Sequence, residues 1–370
     1  NILRDDLAVA HAGATAGPMA RTLPSFAFQV LRHQALAKGL KSPELISGAE
    51  QDLLLKSVLA NAVNRELPWP KSITPQVMSL KGFRAELRDL ITVCLEYRVS
   101  PSALAELGTN NRRSEWVAAA ELYAEYLAKL REPEYENRHD ASTLLGVAAD
   151  LLEASTGFTA DVVAIKLVLI DDAQELTPAA AALLKVLCSA GTGLVLVGDP
   201  DSSTLGFRAA DPRAMTNLAD AVAKQSGSSS QTIVLEALES VRSGSIASVL
   251  GKVSRQIDTA RAGRQRKGVA RPQDPAVTDA SVEGLVFNSP QAETAWIARR
   301  LRELHLYDGI EWSQMAVVAR SRSNLEQYSV ALAHQSVPVE ILGAQSALRD
   351  EFASRMLLRF AKQIYLPQAP

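Results

Sequence analysis

Acidic residues follow two apolar runs in the middle of the sequence. Asp171 and Asp172 come directly after Leu167–Ile170, and Asp199 comes after the run at 194–197. Carboxylates at the end of a buried strand are costly unless they hold a metal, a proton or a hydrogen-bond network. Ligands also gather at the carboxyl ends of parallel strands. The spacing therefore predicts a ligand site at this edge of a sheet.

A helical segment at 178–189 separates the two apolar runs. Two short apolar runs joined by a helix predict a strand–helix–strand unit in which two buried strands run parallel. For either strand end alone, an ordinary structural interpretation stays open, because Asp is a favoured helix N-cap. Two acidic strand ends in succession favour the chemical interpretation.

Composition limits the class of protein. The 370 residues are 47% apolar and 5% aromatic, which predicts two or three helix-rich domains. A formal charge of −2 argues against a polybasic binder but allows a local basic channel for nucleic acid. Only Cys94 and Cys188 are present, so we expect no disulfide framework, no Cys-rich metal site and a reducing, cytoplasmic compartment. No apolar run reaches about 18 residues and no signal-peptide pattern is present, so we expect a soluble chain.

Two motifs, taken in order, carry a resemblance to a known family. Asp-Asp-Ala-Gln at 171–174 precedes Gly-Asp-Pro-Asp-Ser-Ser-Thr-Leu-Gly-Phe-Arg-Ala-Ala at 198–210. They resemble the D-E-x-Q and G-D-x-x-Q-S-I-Y-x-F-R-G-A motifs of the UvrD/Rep family of superfamily 1A DNA helicases. The resemblance implies an α/β fold: a RecA-like parallel-sheet core (partial 1A), a helical 1B insertion and the start of a second RecA-like domain, 2A. It also implies ATP and Mg²⁺ as cofactors, and single-stranded DNA and duplex ends as partners.

The resemblance assigns roles within the first motif. Asp171 would hold the Mg²⁺ of ATP, and Asp172 stands where the family has a catalytic Glu that orients or deprotonates the attacking water. Asp is one methylene shorter than Glu, so slower hydrolysis is expected. Gln174 matches the Gln that links this motif to the nucleotide and DNA state.

The second motif contains positions for nucleotide and for DNA. The nucleotide positions are Asp199, Ser202 and Arg208. Ser202 replaces a Gln that senses the γ-phosphate, and its short hydroxyl cannot span the same gap. Phe207 matches the aromatic on which a single-strand base stacks, a contact worth about 1–3 kcal/mol per base. A buried core Phe is the alternative interpretation.

Two flanking segments extend the resemblance. Residues 21–32, with Thr22 and Ser25, are similar to the T-F-H-S-F-A-x-x-I-L-R segment on the single-strand DNA path. An ordinary helix start is the alternative, because Thr and Ser near Pro are common caps. Arg242 matches the Arg of L-x-x-N-Y-R-S, which contacts the γ-phosphate from across the cleft and suits its spread charge.

Apolar segments in the last third of the chain predict the strands of a second α/β domain that resembles 2A. We expect strands at 284–287, 315–321 and 337–343, in addition to a short strand at 233–235. Arg320 is a candidate contact to DNA or to the domain cleft.

The same comparison predicts domain limits. They are 1–41 for partial 1A, 42–156 for helical 1B, 157–270 for the continuation of 1A, 271–350 for the start of 2A and 351–370 for the lead-in to 2B. Residues 140–145 resemble the element that precedes the strand of the D-E-x-Q motif in the family, and mark the return of the chain to the core.

The sequence contains no G-x-x-x-x-G-K-[ST] motif, the P-loop that cradles nucleotide phosphates. These residues alone are therefore expected to be inactive, and such a motif upstream of Asn1 would restore the motor. The Ala-rich sequence is most similar to the AdnA components of actinobacterial AdnAB helicase–nucleases. That similarity implies an AdnB-like paralogous partner, a nuclease domain beyond these residues and double-strand-break end processing in recombinational repair.

Two other hypotheses stay open. The chain could be a helicase-like subunit with a degenerate ATPase that acts as a DNA-binding or structural partner of an active motor. It could also be an unrelated α/β enzyme with a ligand pocket beside Asp171, since fold likeness alone does not establish function.

Overall fold

The computed structural model describes residues 18–62, 65–154, 160–189, 191–235, 244–254 and 282–341, with a few isolated positions outside these ranges. The chain divides into two compact units, Asn1–Ser281 and Val282–Pro370.

Helices dominate the described residues of both units. In the first unit they are α1 (Leu23–Lys38), α2 (Gly48–Ala62), α3 (Pro75–Met78), α4 (Lys81–Glu96), α5 (Pro101–Asn110), α6 (Ser114–Lys129), α7 (Leu144–Ala154), α8 (Ala160–Val163), α9 (Pro178–Ser189), α10 (Pro212–Gln225) and α11 (Gly244–Ser254). In the second unit they are α12 (Pro290–Asp308) and α13 (Arg322–His334). Within the described ranges, no helix is both long and apolar enough to cross a membrane.

Several of these helices begin with the same local signal. A Ser, Thr or Asp side chain accepts a hydrogen bond from a first-turn N–H, and Pro occupies one of the first two helical positions. Both choices suit a helix start, because the cap satisfies an orphan donor and Pro has no N–H to satisfy. The capping residues are Thr22, Thr74, Ser100, Asp211 and Ser289.

The predicted strand–helix–strand unit is present. Strands β3 (Leu167–Ile170) and β4 (Gly193–Leu196) pair in parallel over their full lengths, and α9 connects them. The prediction that both strands are buried is wrong for one face. Leu167 and Leu169 are 54% and 67% exposed, because successive side chains point to opposite sides of a strand and the described helices cover one side.

Two separate hydrophobic cores lie within the first unit. The first is built by α1, α7, α9 and α10 against the inner faces of β3 and β4. The second is built by α2, α4 and α6, with Met78 and Leu104. The chain passes from the second core to the first between Tyr135 and Leu144, a stretch that overlaps the segment at 140–145 that was predicted to return to the core.

A two-residue parallel pair, β1 (Glu44–Leu45) with β2 (Arg138–His139), lies where the chain leaves the first core and returns to it. Beside it, the buried carboxylate of Asp140 accepts hydrogen bonds from Gln51 and Tyr126, both at 2.6 Å. These contacts hold the two chain crossings together.

The strands predicted at 233–235, 284–287 and 315–321, and the described part of 337–343, are irregular instead. Their apolar composition suggested strands, but a strand needs a neighbouring backbone that pairs its N–H and C=O groups. In the second unit, Ala298 of α12, Leu332 of α13 and Val337 form a small core. Most of the predicted lead-in to 2B lies outside the described residues.

Candidate functional site

The acidic end of β3 has an unusual backbone. Asp172 adopts the left-handed conformation (φ 51°, ψ 40°) and is followed by a 3₁₀ turn at Ala173–Glu175. For a residue with a side chain this conformation costs roughly 1 kcal/mol, and Asp tolerates it better than most. The Asp172 N–H donates to Asp171 Oδ1 at 3.0 Å, and both carboxylates are exposed. The turn therefore presents two adjacent carboxylates to solvent at the strand end.

Gln174 connects the two acidic motifs. Its side chain is 4% exposed, its Nε2 donates to Asp172 Oδ1 at 3.1 Å, and its Oε1 accepts from the Asp199 N–H at 3.1 Å. The Ser202 hydroxyl in turn donates to Asp199 Oδ2 at 3.0 Å. A continuous hydrogen-bond chain thus joins Asp172, Gln174, Asp199 and Ser202, four of the residues singled out from the sequence.

Gly198 makes this close approach of the two motifs possible. The Ala173 N–H donates to Val197 O at 2.9 Å, which draws the turn after β3 against the end of β4. A Cβ atom at residue 198 would lie 3.0 Å from Ala173 N and would overlap Gln174 Oε1. This role was not predicted from the sequence, although a Gly between an apolar run and an Asp is a signal for it.

Glu175, whose role was also not predicted from the sequence, holds the loop of the second motif. Its carboxylate accepts hydrogen bonds from the N–H groups of Thr204 and Leu205 and from the hydroxyls of Ser203 and Thr204. Burial alone would raise the pKa of Glu175, but these hydrogen bonds outweigh burial and lower it.

Phe207 lies on the surface, with 70% of its area exposed. It occupies the 3₁₀ turn Gly206–Arg208, which ends at Ala209 in the left-handed conformation (φ 66°). The Arg208 guanidinium lies 5.4 Å from the centre of the Phe207 ring. The alternative of a buried core Phe is excluded by this exposure, and base stacking stays a prediction.

The remaining predicted contacts are dispersed. Thr22 caps α1, with its Oγ1 accepting from the Ser25 N–H at 3.3 Å, and both residues are exposed. This geometry fits the ordinary interpretation of a helix start, and a DNA contact there stays a prediction. Arg320 is exposed in the second unit, and Arg242 lies outside the described residues.

The side chains at the end of β3 determine whether Mg²⁺ could bind there. Within the described ranges, no group of three or more His, Cys, Asp or Glu side chains could hold a metal. Proteins usually bind Mg²⁺ through one or two carboxylates, with substrate phosphates and water as the other ligands. The exposed Asp171 carboxylate fits that arrangement, in which nucleotide phosphates complete the coordination.

Comparison with known proteins gives the same family as the two motifs. Residues 5–223, more than half of the chain, match the UvrD/REP helicase N-terminal domain. The chain is 25% identical over 205 residues to the mitochondrial ATP-dependent DNA helicase HMI1 of Saccharomyces cerevisiae, covering 53% of this chain and 27% of that protein. It is 27% identical over 186 residues to a probable DNA helicase of Mycoplasma pneumoniae, covering 50% and 32%.

A third relative is an ATP-dependent helicase/nuclease subunit of Leuconostoc mesenteroides, 27% identical over 209 residues, covering 48% of this chain and 17% of that protein. The chain thus spans a third or less of the length of the curated relatives it matches. The family match itself covers both motifs described above, and implies a RecA-like helicase core. The chain belongs to the UvrD/REP helicase family.

Proposed function

We propose that the chain is part of an ATP-dependent DNA helicase or translocase of the UvrD/Rep type. The observation that supports this most strongly is the hydrogen-bond chain from Asp172 through Gln174 to Asp199 and Ser202. It joins two motifs that must respond together if nucleotide state is to alter DNA contact.

In this proposal Asp171 holds Mg²⁺, which when bound with ATP neutralises charge on the phosphate oxygens. Asp172 orients the attacking water, and its carboxylate is itself oriented by Gln174 Nε2. Asp199, Ser202 and Arg208 lie on the nucleotide side of the second motif, and Arg242 supplies positive charge to the γ-phosphate. Each role follows from the family motif and from the exposure of the described members.

The proposed DNA contacts are Thr22, Ser25 and Phe207 in the first unit and, independently of them, Arg320 in the second. Phe207 supports this assignment best, because an exposed ring in a backbone-anchored turn can stack on any base.

We further propose an AdnA-like role with an AdnB-like paralogous partner, in double-strand-break end processing and recombinational repair in the cytoplasm. A relative named as a helicase/nuclease subunit supports this finer assignment.

A second candidate is a helicase-like subunit with a degenerate ATPase that binds DNA beside an active motor. The Ser202 hydroxyl favours it, because that hydroxyl donates to Asp199 and is too short to span the gap that a Gln spans. The 370 residues also contain no P-loop sequence, so we propose that these residues alone do not hydrolyse ATP.

ATP hydrolysis by the full-length protein, measured with and without single-stranded DNA, separates the two candidates. The motor predicts DNA-stimulated hydrolysis that Asp171→Asn abolishes and that Asp172→Glu maintains or raises, because Glu restores the longer reach. The degenerate subunit predicts hydrolysis that neither DNA nor Asp172→Glu changes, together with intact DNA binding. Without DNA binding or hydrolysis, both candidates would be wrong.

A further inference from the structure

Glu175 joins the turn after β3 to the loop that precedes Phe207. Its Oε1 accepts from the Thr204 N–H at 2.6 Å and from the Thr204 hydroxyl at 3.0 Å. Its Oε2 accepts from the Leu205 N–H at 2.9 Å and from the Ser203 hydroxyl at 3.4 Å. One side chain thus satisfies two consecutive backbone donors and two neighbouring hydroxyls.

The charge of the Glu175 carboxylate strengthens these hydrogen bonds. Hydrogen bonds from backbone N–H groups to an ionised carboxylate are roughly twice as strong as those between neutral groups. The lowered pKa of Glu175, in which the hydrogen bonds outweigh burial, keeps the group ionised at neutral pH. The loop is therefore held by hydrogen bonds to an ionised carboxylate.

Leu205 connects the hydrogen bonds of Glu175 to the turn that contains Phe207. The Leu205 carbonyl accepts from the Arg208 N–H at 2.8 Å and from the Ala210 N–H at 3.2 Å, so it closes the turn that carries Phe207. The Leu205 N–H, on the other side of the same residue, is held by Glu175. The orientation of the Phe207 turn thus depends on an anchor outside that turn.

Glu175 itself lies directly after the first motif, Asp-Asp-Ala-Gln at 171–174. Glu175 follows Gln174 directly, within the 3₁₀ turn Ala173–Glu175, and Gln174 donates to Asp172. A displacement of Asp172 that shifted this turn would move Glu175, and with it the backbone at residues 204 and 205. A short path through this 3₁₀ turn and the hydrogen bonds of Glu175 therefore runs from the carboxylate pair to Phe207.

We propose that Glu175 is a positioning residue that orients Phe207 for base stacking and couples it to the carboxylates at the end of β3. This inference rests on the proposed helicase function, in which Phe207 stacks on single-stranded DNA. It assigns Glu175 no contact with nucleotide or DNA.

The test uses the full chain and an oligothymidylate that contains one 2-aminopurine, whose fluorescence is quenched when the base stacks. Glu175→Gln keeps the shape of the side chain but replaces one acceptor with a donor, which faces an N–H group. Glu175→Asp keeps the charge but is too short to reach both amides. Ser203→Ala, which removes only the longest of the four hydrogen bonds, and Glu106→Gln, at an exposed site on α5, are the matched controls.

We expect Glu175→Gln and Glu175→Asp to raise the DNA concentration needed for half-maximal Phe207-dependent quenching roughly three- to tenfold. Both controls should leave that concentration unchanged. Removal of a negative charge this close to the proposed DNA contact should by itself strengthen DNA binding. A loss in Glu175→Gln is therefore opposite to a simple charge effect. Hydrogen exchange at the Thr204 and Leu205 amides should rise in both Glu175 variants, while thermal unfolding stays cooperative.

Two results would overturn the proposal in different ways. Faster exchange at Thr204 and Leu205 with unchanged quenching would show that Glu175 only stabilises the loop, and the helicase function would stand. Quenching in the wild type that Phe207→Ala does not alter would remove Phe207 from the DNA path, and the positioning role with it.

Discussion

Gly198 and Gln174 lie in such close contact that any side chain at residue 198 would overlap the Gln174 amide oxygen. The same position is 3.0 Å from the Ala173 nitrogen, so both the side chain and the backbone of the turn after β3 restrict it. The approach of the two acidic motifs thus depends on a residue that carries no chemistry of its own.

Gly198→Ala should therefore separate the motifs. We expect a loss of about 1–3 kcal/mol in the free energy of unfolding, because the added methyl group forces the turn away from the end of β4. Urea denaturation followed by circular dichroism measures this loss.

Gly146→Ala is the matched control. Residue 146 lies in α7, and a Cβ atom there would meet nothing within 4 Å. That substitution should stabilise the chain by roughly 0.5–1 kcal/mol, because Ala suits a helix better than Gly. Equal effects of the two substitutions would contradict the close contact at Gly198.

Glu96, at the last position of α4, is a buried carboxylate that accepts hydrogen bonds from the Thr177 hydroxyl and the Ala179 N–H at the start of α9. Its Oε2 has no hydrogen-bond partner among the described residues. Burial raises the pKa of Glu96, and the two hydrogen bonds offset that rise only in part.

The folded state therefore binds the Glu96 proton more tightly than the unfolded state. Its contribution to stability is present below the unfolded pKa of about 4.3 and is lost as pH rises through the folded pKa. Glu96→Gln, which cannot ionise, should raise the urea midpoint at neutral pH and match the wild type at about pH 4. An equal or lower midpoint at neutral pH would show that the ionised carboxylate is well solvated.

Tyr126 is fully buried and donates to the buried carboxylate of Asp140 at 2.6 Å. The Asp140 carboxylate also accepts hydrogen bonds from Gln51 and Ser142. Tyr126→Phe should cost roughly 1–3 kcal/mol of unfolding free energy, because the buried carboxylate of Asp140 loses a hydrogen-bond donor. Tyr97→Phe, at a site 47% exposed, should change stability little, and similar losses in both variants would contradict this explanation.

Local patterns predicted much of the fold. The bounds of α9, Pro178–Ser189, match the predicted helix, and β3 matches the predicted strand, because apolar periodicity and turn residues act within a short window. The exposed face of β3 was not predicted, because an apolar run does not reveal whether one or both faces are covered.

In the candidate site, too, local motifs were predicted from the sequence and long-range contacts were not. Asp172, Gln174, Asp199 and Ser202 were singled out from their motifs, and the structure joins them by hydrogen bonds. The partners of Glu175 lie about 30 residues away along the chain, which no short-range pattern encodes.

We propose that the chain presents a single-stranded DNA site in which Phe207 stacks on a base. The most direct measurement is fluorescence anisotropy of labelled single-stranded DNA across a salt series, for wild type, Phe207→Ala and Tyr307→Ala. Tyr307, 83% exposed in the second unit, controls for loss of an exposed ring.

We predict salt-sensitive binding, since each phosphate contact contributes a slope of about −0.7 in log K against log salt. Phe207→Ala should weaken binding about fivefold or more with an unchanged slope, because stacking is not ionic. Tyr307→Ala should bind like the wild type. Binding that Phe207→Ala leaves unchanged, or no binding at any salt concentration, would contradict the claim.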